Sequence, residues 1–181
     1  GKDVFCEKPM CLNLDELKQI IKSSKNNHGS SINIGFNRRF SPMIAELKDF
    51  TNKVNEPIII NYRINAGFLP KTHWNQNMDI GGGRLIGEAC HFIDLSCHLI
   101  EAYPTSVHTD VMDNAGRYNN DNFTITINFS DGSISSINYV ANGHRLMSKE
   151  RIEIFGGGYS AIMDDFKRLD LFLEKKTTRR S

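Results

Sequence analysis

The sequence predicts an α/β protein, in which a short parallel strand–helix–strand unit precedes a larger domain of helices and sheet. The N-terminal region places a segment of helical spacing between two apolar runs of strand length, as in units that build parallel sheets. Beyond residue 104 the pattern changes to strands, two of which are separated by a tight turn. Hydrophobic residues make up 39% and charged residues 24% of the 181 positions, which favours a globular fold.

The first unit extends to residue 36. Residues 4–6 form an apolar run typical of a buried strand, and residues 31–36 form a second one. Asn13 followed by Glu16 is a capping-box pattern, so we expect a helix to begin there and to end near residues 27–29. The predicted apolar face of this helix consists of Leu14, Leu17, Ile20 and Ile21.

The larger domain is expected to begin at residue 37, with a helix that has Pro42 at its first position. Residues 81–83 are glycines, and they introduce an apolar segment that predicts one helix to Ile100. Residues 159–173 fit either a helix or a hairpin, and the basic tail after residue 174 is interpreted as a solvated face or a chain end. Strands are predicted at 58–64, 106–111, 123–129, 133–140 and 151–155, with a hairpin turn at 130–132.

Charge and cysteine content narrow the classes of function. The chain has 22 Lys and Arg against 21 Asp and Glu, a net charge of +1, which argues against nucleic acid or an anionic membrane as the main partner. No apolar run approaches the ~18 residues that cross a bilayer, and no signal peptide is recognisable, so we expect a cytoplasmic protein. The four cysteines lack the spacing of a zinc site or a disulfide framework, so we predict reduced thiols and no metal site.

Two glycine-rich stretches match phosphate-binding loops only loosely. Residues 156–161 fit the dinucleotide pattern, but the 20 residues that follow are too few for the further strand that the pattern requires. Residues 81–83 precede a helix whose first N–H groups could bring it close to a ligand. The alternative is a tight turn that lets this helix approach another backbone.

Three motifs occur along the chain in a recognisable order. They are Val4-Phe5-Cys6-Glu7-Lys8-Pro9, Gly35-Phe36-Asn37-Arg38-Arg39-Phe40, and Gly81-Gly82-Gly83 with His91 and Asp94. Together they resemble the Gfo/Idh/MocA family of NAD(P)-dependent oxidoreductases, and most of all its inositol 2-dehydrogenase-like and sugar dehydrogenase members. The resemblance implies a Rossmann domain followed by an α/β domain on an open, mainly antiparallel sheet.

On this resemblance, residues 1–36 are the last β-α-β piece of the Rossmann domain, and residues 37–181 are an incomplete substrate-binding and oligomerisation domain. The family's glycine fingerprint is not found in the sequence. The main site for NAD or NADP would therefore lie outside these residues, and the chain alone is expected to be inactive or nearly so.

The resemblance also implies a pair of residues that handle the proton. Lys8 would reach the substrate hydroxyl and the nicotinamide, where an ammonium group stabilises developing alkoxide charge. Glu7 and Pro9 would contact the cofactor beside it, and the Lys8–Pro9 bond could be cis. His91 is the second catalytic candidate and would also bind substrate, although a lone His on an apolar helix is usually a core residue.

Position 87 departs from the family pattern. The family commonly has an Asp four residues before the His, and this sequence has Gly87. Glu88 lies three residues before His91 and shares a face with it on a helix, so Glu88 is a candidate for the catalytic carboxylate. Such a carboxylate would favour the protonated form of His91.

Five further residues are candidates for binding. Arg38 and Arg39 follow the second strand, at the edge where open α/β sheets bind ligands. We expect Arg38 to bind the cofactor and Arg39 to bind the substrate. One of the two could instead hold the domain boundary. Asn65 and His73 would hydrogen-bond sugar hydroxyls. Trp74 would pack on the apolar face of a sugar, unless it belongs to the core.

The function expected from the resemblance is hydride transfer between NAD(P) and a hydroxyl of a sugar, inositol or related polyol, in a homodimer or homotetramer. The alternative is a non-enzymatic carbohydrate-binding or dimerisation module of the same fold, which Gly87 favours slightly. A zinc enzyme or a cysteine-nucleophile enzyme lacks suitable ligand spacing or a base partner.

Overall fold

The computed structural model describes residues 2–27, 29–113, 116–173 and 176–180. Within these ranges the chain forms a two-stranded sheet and an eight-stranded sheet, with helices packed on the larger one. The larger sheet is mostly antiparallel, and the predicted α/β class is confirmed. No helix in the described ranges is both long enough and apolar enough to span a membrane.

The N-terminal unit has the predicted parallel arrangement. Strands β1 (Val4–Cys6) and β2 (Ile32–Ile34) pair in parallel and are connected by α1 (Leu14–Asn26). The Asn13 side chain accepts hydrogen bonds from two first-turn N–H groups, which confirms the predicted cap. The apolar face of α1 is only partly covered by the described residues: Leu17 and Ile20 are half-buried, whereas Leu14 is 71% exposed. Because the strands are parallel, Cys6 and Ile34 end at the same edge.

The elements of the larger domain follow in order. After a 3-10 turn at Asn37–Phe40 come α2 (Pro42–Thr51), β3 (Ile59–Asn65), a second 3-10 turn at Trp74–Gln76, α3 (Gly83–Gly87) and α4 (Ala89–Ile100). The remaining strands are β4 (Pro104–Val111), β5 (Phe123–Phe129), β6 (Ile134–Val140), β7 (Glu150–Gly156), β8 (Tyr159–Asp164), β9 (Arg168–Leu173) and β10 (Lys176–Arg180).

The sheet order is β10-β9-β8-β7-β3-β6-β5-β4, so β3 is inserted between strands that come much later in the chain. Within this eight-stranded sheet, the β3–β6 pair is the only parallel one among the described strands. Alternate residues of β5 and β6 are buried, as period-two spacing predicts for a sheet covered on one face. The buried face packs against α2 and α4 through residues that include Leu47, Tyr62, Phe92, Leu95 and Ile137.

Three expectations from the sequence need correction or completion. The single helix expected from residue 85 to Ile100 is broken at Glu88, whose φ of −127° and ψ of −39° separate α3 from α4. Residues 159–173, which the sequence left ambiguous, form the β8–β9 hairpin rather than a helix. The basic tail adds β10 to the edge of the sheet, and the side chains described at residues 177–180 are exposed.

Candidate functional site

Lys8 leaves the carboxyl-terminal edge of the small sheet and reaches the larger domain. Its Nζ donates a hydrogen bond of 2.8 Å to the carbonyl oxygen of Gly87, at the break between α3 and α4. The Lys8–Pro9 peptide bond is cis, as the sequence analysis allowed. The carboxylate of Glu7 packs against Gly35, the residue that follows β2. A Cβ placed on Gly35 would lie 3.0 Å from it. The first motif therefore places the Lys8 ammonium group next to the junction between α3 and α4.

His91 occupies that first turn and is 8% exposed. The ring of Phe36 approaches it edge-on at 6.0 Å between centroids, and His91 Nδ1 is buried without a hydrogen-bond partner among the described residues. Burial, together with the positive charges of Arg38 and Lys8, lowers the pKa of His91 to about 4. The imidazole is therefore neutral at physiological pH and is able to accept a proton.

Glu88 is held by two buried partners. Arg84 Nη1 donates to one carboxylate oxygen at 2.8 Å, and the Tyr139 hydroxyl donates to the other at 2.6 Å. Burial alone would raise the pKa of Glu88, but the Tyr139 hydrogen bond and the Arg84 charge outweigh it, so the pKa lies below its usual value. Glu88 is thus an ionised carboxylate beside His91. Its charge raises the pKa of His91, the expected direction, but burial and the charges of Arg38 and Lys8 outweigh it, so His91 is neutral nonetheless.

Position 87 has no room for a side chain. A Cβ on Gly87 would lie 2.4 Å from the carbonyl oxygen of Gly81, well inside van der Waals contact. Gly81 is equally confined, because its Cβ would lie 2.5 Å from Asn75 Cα. Gly82 and Gly83 have φ angles of 70° and 67°, which favour glycine. The glycines therefore form a tight turn in close contact with neighbouring backbone, the alternative that the sequence analysis gave for them.

Arg38 and Arg39 are both engaged in ion pairs between elements. Arg38 donates from Nε and Nη2 to Glu150 at 2.9 and 2.6 Å, and its guanidinium lies 4.8 Å from the centre of the Phe92 ring. Arg39 forms a two-pronged ion pair with Asp94 on α4, with an Nε distance of 2.7 Å. These pairs fasten the segment after β2 to the larger domain. Roles in binding cofactor or substrate stay predictions for both arginines.

The other predicted binding residues lie in different surroundings. Asn65 is buried, and its side-chain amide donates to the carbonyl oxygens of His144 and Met147 at 2.9 and 3.3 Å. His73 accepts a hydrogen bond from the Asn75 backbone at 3.2 Å. Trp74 is 61% exposed, so the core alternative for it is wrong. The structure gives His73 and Trp74 no contact with Lys8 or His91 among the described residues.

Three residues near the site were missed in the sequence analysis. Arg84 is buried and links Glu88 to the Gly67 carbonyl oxygen, Glu150 holds Arg38, and Lys149 acts on both His91 and Glu88 through its charge. Arg84 directly follows the three glycines, and a charge on an apolar helix was a usable signal. Glu150 and Lys149 follow a long loop, and only the β3–β7 pairing brings them to the site.

The site is therefore assembled at the boundary between the small sheet and α4. It holds a lysine, a neutral buried histidine and an ionised carboxylate, a set suited to moving a proton to or from a hydroxyl group. Within the described ranges, no group of three or more His, Cys, Asp or Glu side chains is arranged to hold a metal ion.

Comparison with known proteins places this arrangement in a family of oxidoreductases. Residues 52–160, more than half of the chain, match the GFO/IDH/MocA C-terminal domain. This chain belongs to the Gfo/Idh/MocA family, as the motifs predicted.

Individual relatives agree with this assignment. The chain is 24% identical over 173 residues to the uncharacterized oxidoreductase YrbE of Bacillus subtilis, covering 91% of this chain and 49% of that one. It is also 24% identical over 181 residues to myo-inositol 2-dehydrogenase of Thermotoga maritima, with 95% and 52% covered. An inositol dehydrogenase homolog from Azotobacter vinelandii, solved with NAD+, superposes with a TM-score of 0.81 at 15% identity, covering 98% and 50%. The chain spans about half the length of these proteins.

Proposed function

We propose that the protein containing this chain transfers hydride between NAD or NADP and a hydroxyl of a sugar, inositol or related polyol, with Lys8 and His91 handling the proton. The observation that carries the proposal is the Lys8–Gly87 hydrogen bond of 2.8 Å, which joins the first motif to the third beside His91. The names of the relatives support the reaction class. The inositol 2-dehydrogenase relative supports a polyol substrate.

The residues present fit a nicotinamide and a hydroxyl substrate. Alcohol oxidation requires the hydroxyl proton to leave while the carbon loses hydride, so it needs a base and a cation near the same oxygen. His91 is neutral and buried with an unpartnered ring nitrogen, and the Lys8 ammonium approaches the turn that leads into α4. Glu7, Lys8 and Pro9 follow the carboxyl end of a parallel strand, the edge at which α/β sheets bind cofactors.

The chemistry divides between the cofactor and the side chains. When bound, the nicotinamide ring takes up or gives the hydride. Lys8 stabilises negative charge on the substrate oxygen, and His91 accepts the hydroxyl proton in the oxidative direction and returns it in the reductive one. Glu88, with Arg84 and Tyr139, fixes the backbone where α3 ends and α4 begins, and so positions His91.

The direct test is a substrate panel on the whole protein. myo-Inositol, neutral hexoses, hexuronates and sugar phosphates are each supplied with NAD+ and with NADP+, and reduced nicotinamide is measured. We expect turnover with at least one polyol or sugar and a preference for one cofactor. Sugar binding without any cofactor reduction would instead favour the carbohydrate-binding module.

A further inference from the structure

An open cleft of about 600 Å³ lies beside the site. Its walls are the end of β3 and the following residues (Asn65 to Gly67), the loop before β7, and the turn between β8 and β9. The cleft adjoins the catalytic region because Gly67 accepts a hydrogen bond of 2.7 Å from Arg84, the residue that also holds Glu88. The cleft and the catalytic region are therefore linked through Arg84, which contacts Gly67 at the cleft wall and Glu88 next to His91.

Positive charge exceeds negative charge on the cleft wall. The six charged residues that line it are Arg145, Lys149, Lys167, Arg168, Asp164 and Asp165. Lys167 pairs with Asp165 at 2.8 Å, and Arg168 pairs with Asp170 at 2.6 Å. Lys149 and Arg145 have no carboxylate within ion-pair distance among the described residues.

Lys149 is a cation of the cleft wall whose charge also acts on residues of the catalytic region. Its carbonyl oxygen accepts a 2.7 Å hydrogen bond from the Asn65 backbone, and the Asn65 side chain holds the preceding loop at His144 and Met147. The charge of Lys149 acts on both His91 and Glu88, and the residue that follows it, Glu150, binds Arg38. The loop is therefore held in place where Lys149 lines the cleft, directly before the residue that binds Arg38.

Three cations act on the imidazole of His91 in the same direction: Lys8, Arg38 and Lys149. Arg38 is paired with Glu150, and the Glu88 carboxylate is bound by Arg84 and Tyr139, so Lys8 and Lys149 are left without a carboxylate partner among the described residues. A neutral polyol would leave Lys149 unpaired, whereas an anionic group in the cleft would pair with it. We propose that the substrate is an acidic sugar or polyol, carrying a carboxylate or a phosphate, and that Lys149 binds this group. This inference rests on the proposed function.

The test compares acidic substrates with their neutral counterparts on the whole protein. Glucuronate against glucose probes a carboxylate, and myo-inositol 1-phosphate against myo-inositol probes a phosphate. We expect kcat/KM to favour the acidic member of one pair. Lys149→Ala should lower that value by about 10–100-fold, the usual effect of losing a hydrogen bond to a charged group, and change the neutral value by less than about threefold.

Lys53→Ala is the matched control. Lys53 is also an exposed lysine, and it lies near the opposite end of β7. Lys149 precedes Glu150 at the start of the strand, whereas Val54, next to Lys53, packs beside Gly156 at its end. We expect it to leave all four values unchanged. If Lys53→Ala lowers kcat/KM for the acidic substrate as much as Lys149→Ala does, the effect is one of net charge and the inference is wrong.

The inference and the proposed function fail in different ways. Equal kcat/KM for the acidic and neutral members of both pairs overturns the inference and leaves the proposed function standing. If no sugar reduces the cofactor, the proposed function fails, and calorimetry of the same four compounds then decides the inference. Tighter binding of an acidic compound that is lost in Lys149→Ala supports it, and equal binding of all four overturns it.

Discussion

The charge of a single histidine shows how the surroundings of a residue determine its chemistry. His91 stands in an apolar helix, where a histidine is usually part of the core, and it is indeed buried. Burial and two cations keep it neutral, so that the ring is free to accept a proton at physiological pH. The same property makes the stability of the folded protein depend on pH.

We predict that His91 makes the protein less stable in mild acid. Its pKa is about 4 in the folded protein against an ordinary value of 6.5, so its contribution is complete above pH 6.5 and is lost as pH falls toward 4. The loss is on the order of 3 kcal/mol, because each tenfold change in proton affinity corresponds to about 1.4 kcal/mol. The free energy of unfolding, measured in urea at pH 7 and pH 4.5, checks this.

The control is His91→Gln, which removes the titrating group. The variant should lose less stability than the unaltered protein between the two pH values, while the carboxylates titrate equally in both. Identical pH dependence in the two proteins would show that His91 is not held neutral by its surroundings.

At the residue scale, motifs identified the reacting groups but not their partners. Lys8 and His91 were chosen because they stand in short recognisable strings, and the structure brings both to the Gly87–α4 junction. Glu150 and Lys149 could not be assigned from spacing, because strand pairing across the sheet brings them to the site. The roles of the predicted site residues stay predictions.

At the scale of elements, the break between α3 and α4 is the feature on which the site depends. Gly87 allows the chain to pass the Gly81 carbonyl oxygen and offers its own carbonyl to Lys8. In the sequence alone, Gly87 stands out as a missing carboxylate. In the structure, contacts between backbone segments exclude any side chain at this position.

We predict that Gly87→Asp, which restores the residue common in the family, destabilises this protein by at least about 2 kcal/mol, because a Cβ at 2.4 Å from a backbone oxygen forces the two segments apart. Chemical denaturation measures the change. Gly158→Ala is the comparison: its φ is +77° with open space around it, so only the left-handed backbone penalty of roughly 1 kcal/mol applies. A Gly87→Asp variant as stable as the unaltered protein would contradict the packing argument.

Turn chemistry explains which hairpins could be predicted. The turn at residues 130–132 contains Gly132 with a φ of +90°, and its Asp-Gly signal led to a correct prediction. The turn between β8 and β9 uses Asp165 and Phe166 at φ angles of 53° and 55°. A phenylalanine with positive φ is uncommon, so no local signal separated this hairpin from a helix.

At the scale of the whole molecule, the large sheet has one face on which none of the described helices packs. Helices α2 and α4 pack on the inner face. The outer face carries Thr124, Thr126 and Asn138. Ile59 and Phe155 also lie there as a cross-strand pair, and their side chains are 48% and 42% exposed. Open faces of this kind serve as surfaces for pairing between copies. We propose that the protein forms a homodimer, or a tetramer of two such dimers, through this face.

We predict that light scattering gives the mass of a dimer or tetramer, and that Thr126→Arg, which places a charge in the middle of β5 on this face, reduces the mass. Asn55→Arg, in the exposed loop after α2, is the control and should not change it. A monomer at all accessible concentrations, or a Thr126→Arg variant with the mass of the unaltered protein, would refute assembly through this face.

The proposed role of Lys8 in handling the proton is tested most directly by the turnover number of a Lys8→Ala variant of the whole protein, measured with the best substrate from the panel. Loss of a group that handles the proton should lower turnover by more than about a hundredfold, and cofactor affinity by less than about threefold. Lys18→Ala, which removes an exposed lysine from α1, should leave both unchanged. An unaltered turnover number in Lys8→Ala would exclude Lys8 from the mechanism and contradict the account.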